Sequence, residues 1–161
     1  MNVLFLCTGN SARSLMAEAL LNVLGRGRFK AYSAGSHATG KIQPMAIELA
    51  ERVGYPAACM RSKSWDEFAA ADAPAMDLII TVCDDAAGET CPVWPGHPVT
   101  AHWGVADPAA VVGDETTRRN AFVKAFTLLR RRVELLIALP DSRLRGLQAA
   151  ESLHGIAEHT S

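Results

Sequence analysis

The chain has 161 residues, of which 49% are hydrophobic and 20% are charged, and its formal net charge is −1 at pH 7. This composition predicts one soluble globular domain with a substantial core. It carries no basic stripe and no apolar run of membrane-spanning length, which argues against nucleic-acid and membrane partners. The chain starts in an apolar strand without signal-peptide features, so we expect a cytoplasmic protein. In that reducing compartment, four cysteines favour chemistry over structural disulfides.

The first predicted elements are an apolar strand, a short polar loop and a helix that begins at Ser14. Cys7 stands where the strand ends. Unpaired amides in the loop and first helical turn, together with the helix dipole, favour negative charge there, so we expect a lowered pKa for the Cys7 thiol. Arg13 is placed to curl back and offer a fork of donors to a tetrahedral oxyanion. We therefore predict that Cys7 is a nucleophile and Arg13 an anion clamp.

The residues inside this loop support the same interpretation. Gly9 permits close backbone approach and an unusual φ, and Asn10 tolerates the left-handed region. Ser11 and Ser14 can donate hydrogen bonds to a sulfur or an oxyanion. The alternative is a buried structural cysteine at a strand end, which would not need a polar loop behind it.

Downstream, predicted strands and helices alternate. Helices are predicted over residues 14–24, 44–53, 64–68 and 115–139, and strands over 29–33, 76–82 and 98–102. Ser64 is the predicted N-cap of its short helix. The alternation predicts an α/β fold, with a parallel sheet between helical layers. Ligands of such sheets bind at the carboxyl ends of the strands, where Cys7 and Cys83 both fall.

Two further parts of the chain receive structural predictions. The run Arg130–Arg132 lies on the longest helix and is predicted to include its solvated face. Trp65, Trp94 and Trp103 are spaced like core or rim residues. In the tail, residues 142–161, apolar residues recur at roughly helical spacing, and the sequence leaves open a packed helix, a partner contact or disorder.

A second cysteine motif lies in the middle of the chain. Cys83 and Cys91 bracket a small polar segment that should be exposed and able to rearrange. Such a pair near a nucleophilic thiolate suits relayed thiol–disulfide exchange, in which one thiol attacks the oxidised nucleophile and the second attacks the first. The alternatives are two unrelated cysteines or a metal site, although the chain has no C-x-x-C pair. We predict no metal and assign no role to Cys59.

Asp107 is the candidate acid. It follows a predicted strand and precedes Pro108, so it can reach a site at the carboxyl edge of the sheet and protonate a leaving oxygen. An aspartate before proline also commonly starts a turn, and taken alone the turn interpretation is favoured.

Five segments together resemble one family, the arsenate reductases built on the low-molecular-weight protein tyrosine phosphatase fold. They occur in order and at similar spacing over roughly residues 2–138. The segments are Cys7–Ser14, Ser33–Gly35, Thr81–Cys83, Cys91–Pro92 and His102–Pro108. The resemblance implies a three-layer αβα sandwich with a four-stranded parallel sheet, and Asp107 as the loop acid. The implied oxyanion-binding residues are Thr8, Gly9, Asn10, Ser11, Ala12, Arg13 and Ser14.

The resemblance also implies a mechanism. Cys7 attacks arsenate, for which phosphate is a mimic, Cys83 attacks Cys7 to release arsenite, and Cys91 attacks Cys83. Thioredoxin then reduces the Cys83–Cys91 disulfide, with glutaredoxin and glutathione as the alternative reductant. No cofactor is implied. We expect residues 1–140 to form the reductase domain and residues 141–161 a tail, possibly helical.

The chain departs from the family pattern in three places: Ala12 replaces a common cysteine, the Cys83–Cys91 spacer is one residue longer, and the tail extends further. A tyrosine phosphatase using the same loop is the main alternative. It needs no resolving cysteines and usually has aromatic residues after Asp-Pro, where this chain has Ala109 and Ala110. A non-catalytic thiol redox sensor is less favoured, because a sensor needs neither an anion clamp nor an acid.

Overall fold

The computed structural model of the chain describes residues 1–83, 94, 98–145 and 149–160. Four parallel strands form one sheet in the order β2-β1-β3-β4. The strands are β1 (Asn2–Cys7), β2 (Lys30–Gly35), β3 (Leu78–Thr81) and β4 (Val99–His102). In the register of the sheet, Cys7 pairs with Gly35 and Leu6 pairs with Thr81. The carboxyl ends of the strands therefore meet at one edge, as the alternating pattern predicted.

Helices lie on both faces of the sheet. They are α1 (Arg13–Leu24), α2 (Pro44–Arg52), α3 (Asp66–Ala69), α4 (Glu115–Ala138), α5 (Asp141–Arg145) and α6 (Ala149–Thr160). Short 3-10 turns occupy Ala57–Cys59 and Pro108–Ala110. The predicted α/β fold, a three-layer sandwich around a four-stranded parallel sheet, is confirmed.

Strand β1 shows how the sequence builds the layers. Val3 and Phe5 pack into the larger core with residues of α1 and α4, whereas Leu4 and Leu6 pack on the opposite face with Phe68 of α3. Successive side chains of a strand point to opposite faces, so a strand that is apolar throughout must be covered on both. Such burial fixes the position of Cys7 at the end of β1.

The predicted cap of α3 was wrong by one residue. The helix begins at Asp66 and its N-cap is Trp65, without a side-chain cap. Ser64 instead forms an isolated parallel bridge with Gly35, while its Oγ accepts a hydrogen bond from the Asp66 amide at 3.2 Å. The segment before α3 thus extends along the edge of β2 before the chain turns into the helix.

The run Arg130–Arg132 includes the solvated face of α4, as predicted, but Arg132 itself belongs to the core. Its side chain is only 2% exposed, whereas Arg130 and Arg131 are exposed. The reason is helical spacing, because Arg132 lies three residues after Leu129 and next to Val133, two fully buried residues of the core face.

The described part of the tail is helical and packed. Ala149, Leu153 and Ile156 of α6 are buried, and Trp103 Nε1 donates a hydrogen bond to the Leu153 carbonyl at 2.9 Å. Trp103 is itself fully buried, as a core residue should be. A domain boundary at residue 140 stays a prediction. Within the described ranges, no helix is both long enough and apolar enough to cross a bilayer.

Candidate active site

The loop between β1 and α1 is braced from one side by residues 36–43. Their amides donate to loop carbonyl groups at distances of 2.8–3.2 Å, and the acceptors are the oxygens of Cys7, Thr8, Gly9 and Ser11. With these carbonyls directed outward, the loop amides are turned toward the opposite side. Within the described part of the chain, the amides of Gly9, Ser11, Ala12 and Arg13 donate to no protein acceptor. Convergent amides at the start of a helix form a cradle for an oxyanion.

Gly35 lets this loop approach β2 closely. A Cβ on Gly35 would overlap the Thr8 carbonyl oxygen and lie 2.9 Å from the Asn10 nitrogen. Asn10 is the one non-glycine residue with positive φ in the described chain, at 47°, and thus occupies the left-handed region, as expected. Gly9, which permits an unusual φ, does not have a positive one. The tight turn therefore depends on Asn10, with Gly35 providing space beside it.

Cys7 is buried beneath the loop, and its sulfur is surrounded by donors. The Asn10 amide donates to Cys7 Sγ at 3.2 Å, and Ser14 Oγ lies 2.8 Å from the same sulfur. The Asn10 side-chain nitrogen donates to Ser14 Oγ at 2.8 Å, and the Ser14 hydroxyl can donate to Cys7 Sγ once the thiol has lost its proton. Of the two serines proposed as donors, Ser14 fills this role at the sulfur.

The expected lowering of the Cys7 pKa was wrong. Burial raises the pKa of the Cys7 thiol above its ordinary value, and the hydrogen bonds from Ser14 and Asn10 only partly oppose this effect. A charged Cys83 would raise the pKa further. Because Cys7 is only 3% exposed, loss of hydration outweighs the local donors. The thiol therefore has to lose its proton as it attacks.

Arg13 and Asp107 meet at the mouth of the loop. Arg13 Nη1 donates to the Val105 carbonyl at 2.9 Å, and Arg13 Nη2 lies 3.7 Å from Asp107 Oδ2. Asp107 Oδ1 accepts a hydrogen bond from the Ala109 amide at 3.0 Å and so caps the 3-10 turn. Both interpretations of Asp107 are thus compatible, because one oxygen caps a turn while the other faces the arginine. The carboxylate side chain is 42% exposed and can reach a ligand in the loop.

Cys83 lies two residues after the end of β3 and is buried. Its Sγ is 3.6 Å from Thr8 Oγ1, on the nucleophile loop. Val82 N donates to the Leu6 carbonyl at 2.8 Å, so the chain after β3 stays beside β1 and Cys83 lies next to the nucleophile loop. Cys59 is exposed in a turn after α2, and Cys91 lies outside the described residues. In the described ranges, no three side chains of His, Cys, Asp or Glu gather as metal ligands would.

A buried polar cluster beneath the loop was not found from the sequence. Lys63 donates its backbone amide to Asn10 Oδ1 at 2.9 Å, which fixes the orientation of the Asn10 carboxamide. The Lys63 ammonium lies 3.6 Å from Glu18 Oε1, which also accepts from Ser33 Oγ at 2.8 Å. Burial lowers the pKa of Lys63, and Glu18 opposes that effect. The visible signal was Glu18 itself, a carboxylate between Ala17 and Ala19 in a buried helix.

Comparison with known proteins agrees with this geometry. The sequence model for low molecular weight phosphotyrosine protein phosphatases matches residues 2–146. The chain belongs to this family. Among its relatives in the phosphatase family, an arsenate reductase of Bacillus subtilis is 40% identical over 113 residues, which cover 70% of this chain and 78% of that protein.

Solved structures with this phosphatase fold agree with the sequence comparison. An arsenate reductase in the phosphate binding state superimposes with a TM-score of 0.68 and 30% identity, covering 85% of this chain and 96% of that one. An arsenate reductase from Archaeoglobus fulgidus gives a TM-score of 0.59 and 32% identity over 82% of this chain and 98% of that one. The resemblance to arsenate reductases built on the low-molecular-weight phosphatase fold is confirmed.

Proposed function

We propose that this protein reduces arsenate to arsenite, and that Cys7 begins the reaction. The loop amides and Arg13 hold arsenate while Cys7 Sγ loses its proton and attacks arsenic. A sulfur–arsenic bond forms while the proton that leaves Cys7 passes, through Asp107, to an arsenate hydroxyl group, which departs as water. The shape and charge of phosphate match those of arsenate, so phosphate is expected to compete for the same loop.

In the second step Cys83 acts as the resolving thiol. Its sulfur attacks Cys7 Sγ, a disulfide bond forms, and the sulfur–arsenic bond breaks. The electron pair of the broken bond stays on arsenic, which falls from oxidation state five to three and leaves as arsenite. Two thiols are oxidised to one disulfide, which balances the two electrons that arsenic gains.

The relay then moves the disulfide outward. Cys91 attacks Cys83, Cys7 is released as a thiol, and thioredoxin reduces the Cys83–Cys91 disulfide. Glutaredoxin with glutathione is the alternative reductant. The cycle starts from reduced thiols, so we place it in the cytoplasm, where thiols are kept reduced.

The observation that carries this proposal is the location of Cys83. A phosphatase needs the loop, Arg13 and Asp107, but it has no use for a second buried thiol at the nucleophile. Here Cys83 is buried, and its Sγ lies 3.6 Å from Thr8 Oγ1, the side chain next to Cys7 in the nucleophile loop. The identity to arsenate reductases supports the same choice.

The proposal is tested by NADPH oxidation with arsenate in two parallel systems, one with thioredoxin and thioredoxin reductase and one with glutaredoxin and glutathione. We expect turnover with thioredoxin. Cys7→Ser and Cys83→Ser should abolish turnover, whereas Cys59→Ser, the matched control at an exposed thiol, should turn over like the parent.

The other outcomes are equally informative. Turnover only with glutaredoxin would keep the reaction and replace the proposed reductant. No turnover in either system, together with rapid hydrolysis of p-nitrophenyl phosphate, would refute the reductase and establish the phosphatase.

A further inference from the structure

The chain between β4 and the proposed acid contains one extra residue. Trp103 N donates to the Thr81 carbonyl at 2.7 Å, and Val105 N donates to the Val82 carbonyl at 3.0 Å. Between these two bonds, the chain after β4 advances by two residues, whereas the chain after β3 advances by only one. We call residues 103–105 the bulge, because this uneven pairing just beyond the ends of β3 and β4 resembles a β-bulge at Gly104, and bulges beside active sites redirect the residues that follow.

Two arginines hold the carbonyl groups of this bulge. Arg132 Nη1 donates to the Gly104 carbonyl at 3.0 Å, and Arg13 Nη1 donates to the Val105 carbonyl at 2.9 Å. Arg132 is 2% exposed, and no carboxylate of the described residues forms an ion pair with it. Burial of a guanidinium in this way is costly unless oxygen acceptors are fixed around it.

Helix α6 supplies the second acceptor. Arg132 Nε donates to Thr160 Oγ1 at 2.8 Å, and the Thr160 hydroxyl donates to the Ile156 carbonyl at 2.7 Å. The same helix accepts the Trp103 indole at Leu153. The Trp103 indole and Arg132 Nε therefore both bond to α6, which lies beyond residues 2–146, the part that matches the family model.

We infer that Arg132 is a positioning residue for the Gly104–Asp107 loop and that α6 acts in the reaction by holding Arg132. Arg132 fixes the bulge carbonyl at Gly104, three residues before Asp107, so the carboxylate stays at the mouth of the nucleophile loop beside Arg13. This inference rests on the proposed role of Asp107 as an acid. By this inference, the tail contributes to the chemical step as well as to the hydrophobic core.

The variant that tests this inference is Thr160→Val, which removes the acceptor of Arg132 Nε while preserving side-chain shape. The readout is single-turnover oxidation of the protein thiols by arsenate, measured over a range of arsenate concentrations. We expect the maximal rate to fall roughly tenfold. A 1 Å misplacement of a catalytic group can reduce a rate by about a hundredfold, and a smaller shift of Asp107 should cost less. The half-saturating arsenate concentration should stay unchanged, because the anion loop is not touched.

The matched control is Thr127→Val. Thr127 also donates its hydroxyl to a helix carbonyl, at Val123, but on the exposed side of α4. It should behave like the parent protein. Arg132→Lys should retain more of the maximal rate than Arg132→Met, because lysine can still donate to one of the two acceptors. If the Arg132 variants do not fold, Thr160→Val decides the question alone.

A double-mutant cycle separates positioning from a merely structural role. If Thr160 acts through Asp107, Thr160→Val in an Asp107→Asn background should cause no further loss of maximal rate. An equal fold loss in both backgrounds, or an unchanged rate for Thr160→Val alone, would overturn the inference.

Failure of the proposed function would appear differently. In that case the parent protein would not be oxidised by arsenate, and the same cycle would be run on p-nitrophenyl phosphate hydrolysis. Non-additive losses there would support the positioning role without the reductase, and additive losses would refute it.

Discussion

At the residue scale, the environment of Cys7 combines opposing effects. Burial raises the pKa of the thiol, whereas the Ser14 and Asn10 hydrogen bonds lower it. Ser14→Ala should therefore raise the pKa further and move the pH midpoint of Cys7 alkylation by iodoacetamide to higher pH. The rate at neutral pH should fall roughly tenfold, since a hydrogen bond to a charged group contributes about 1.5–3 kcal/mol. Alkylation of the Cys7 peptide is followed by mass spectrometry.

Ser11→Ala is the control for this experiment, because Ser11 is the loop serine that does not act as the donor to Cys7 Sγ. Its alkylation midpoint should match that of the parent. A Ser14→Ala protein with an unchanged midpoint would mean that the 2.8 Å contact does not stabilise the thiolate.

Asp107 should affect the chemical step more than binding. Asp107→Asn removes the proton donor but keeps the size of the side chain, so the rate of adduct formation should fall by roughly 10²–10⁴, the usual contribution of general acid catalysis. Arsenate affinity should not weaken, because the substitution also removes a negative charge 3.7 Å from Arg13. Rapid-quench measurement of thiol loss gives both quantities, and an unchanged rate would remove Asp107 from the mechanism.

At the scale of elements, two glycines should respond oppositely to alanine. Gly35→Ala places a methyl group against the Thr8 carbonyl, so stability should fall by about 1–3 kcal/mol, as for other overpacked sites, and arsenate binding should weaken. Gly155 lies inside α6 with open space around its Cβ position, so Gly155→Ala should stabilise by about 0.5–1 kcal/mol. Urea unfolding measures both changes in the free energy of unfolding. Equal effects of the two substitutions would contradict the close approach of the nucleophile loop to β2.

Beneath the nucleophile loop, the buried Lys63 ammonium pairs with the Glu18 carboxylate of α1. Lys63→Met would leave the Glu18 carboxylate buried without its cation, which typically costs about 3–5 kcal/mol. The exposed Lys124→Met serves as the control and should change the unfolding midpoint little. Adding Glu18→Gln to Lys63→Met should recover part of the loss, since the uncompensated charge is then gone. Full stability of Lys63→Met would show that the pair contributes nothing.

At the scale of the whole molecule, periodicity and strand ends were sufficient to predict the sheet and the edge at which Cys7 and Cys83 meet. These features follow from local patterns and from the geometry of parallel strands. The bracing of the loop by residues 36–43, the Lys63–Glu18 pair and the burial of Arg132 involve partners far apart in the chain. Single-sequence patterns do not encode such partners. The pKa of Cys7 was mispredicted for the same reason, because its sign depends on how completely the folded protein excludes water.

In the proposed mechanism, Cys83 is the group that turns an oxyanion-binding loop into a reductase. The most direct test is a single turnover of Cys91→Ser with arsenate, quenched with acid and analysed for arsenite and for disulfide-linked peptides. We expect one equivalent of arsenite and a Cys7–Cys83 disulfide. If all cysteines stayed reduced and no arsenite formed, while the protein still hydrolysed p-nitrophenyl phosphate, the proposed role of Cys83 would be contradicted.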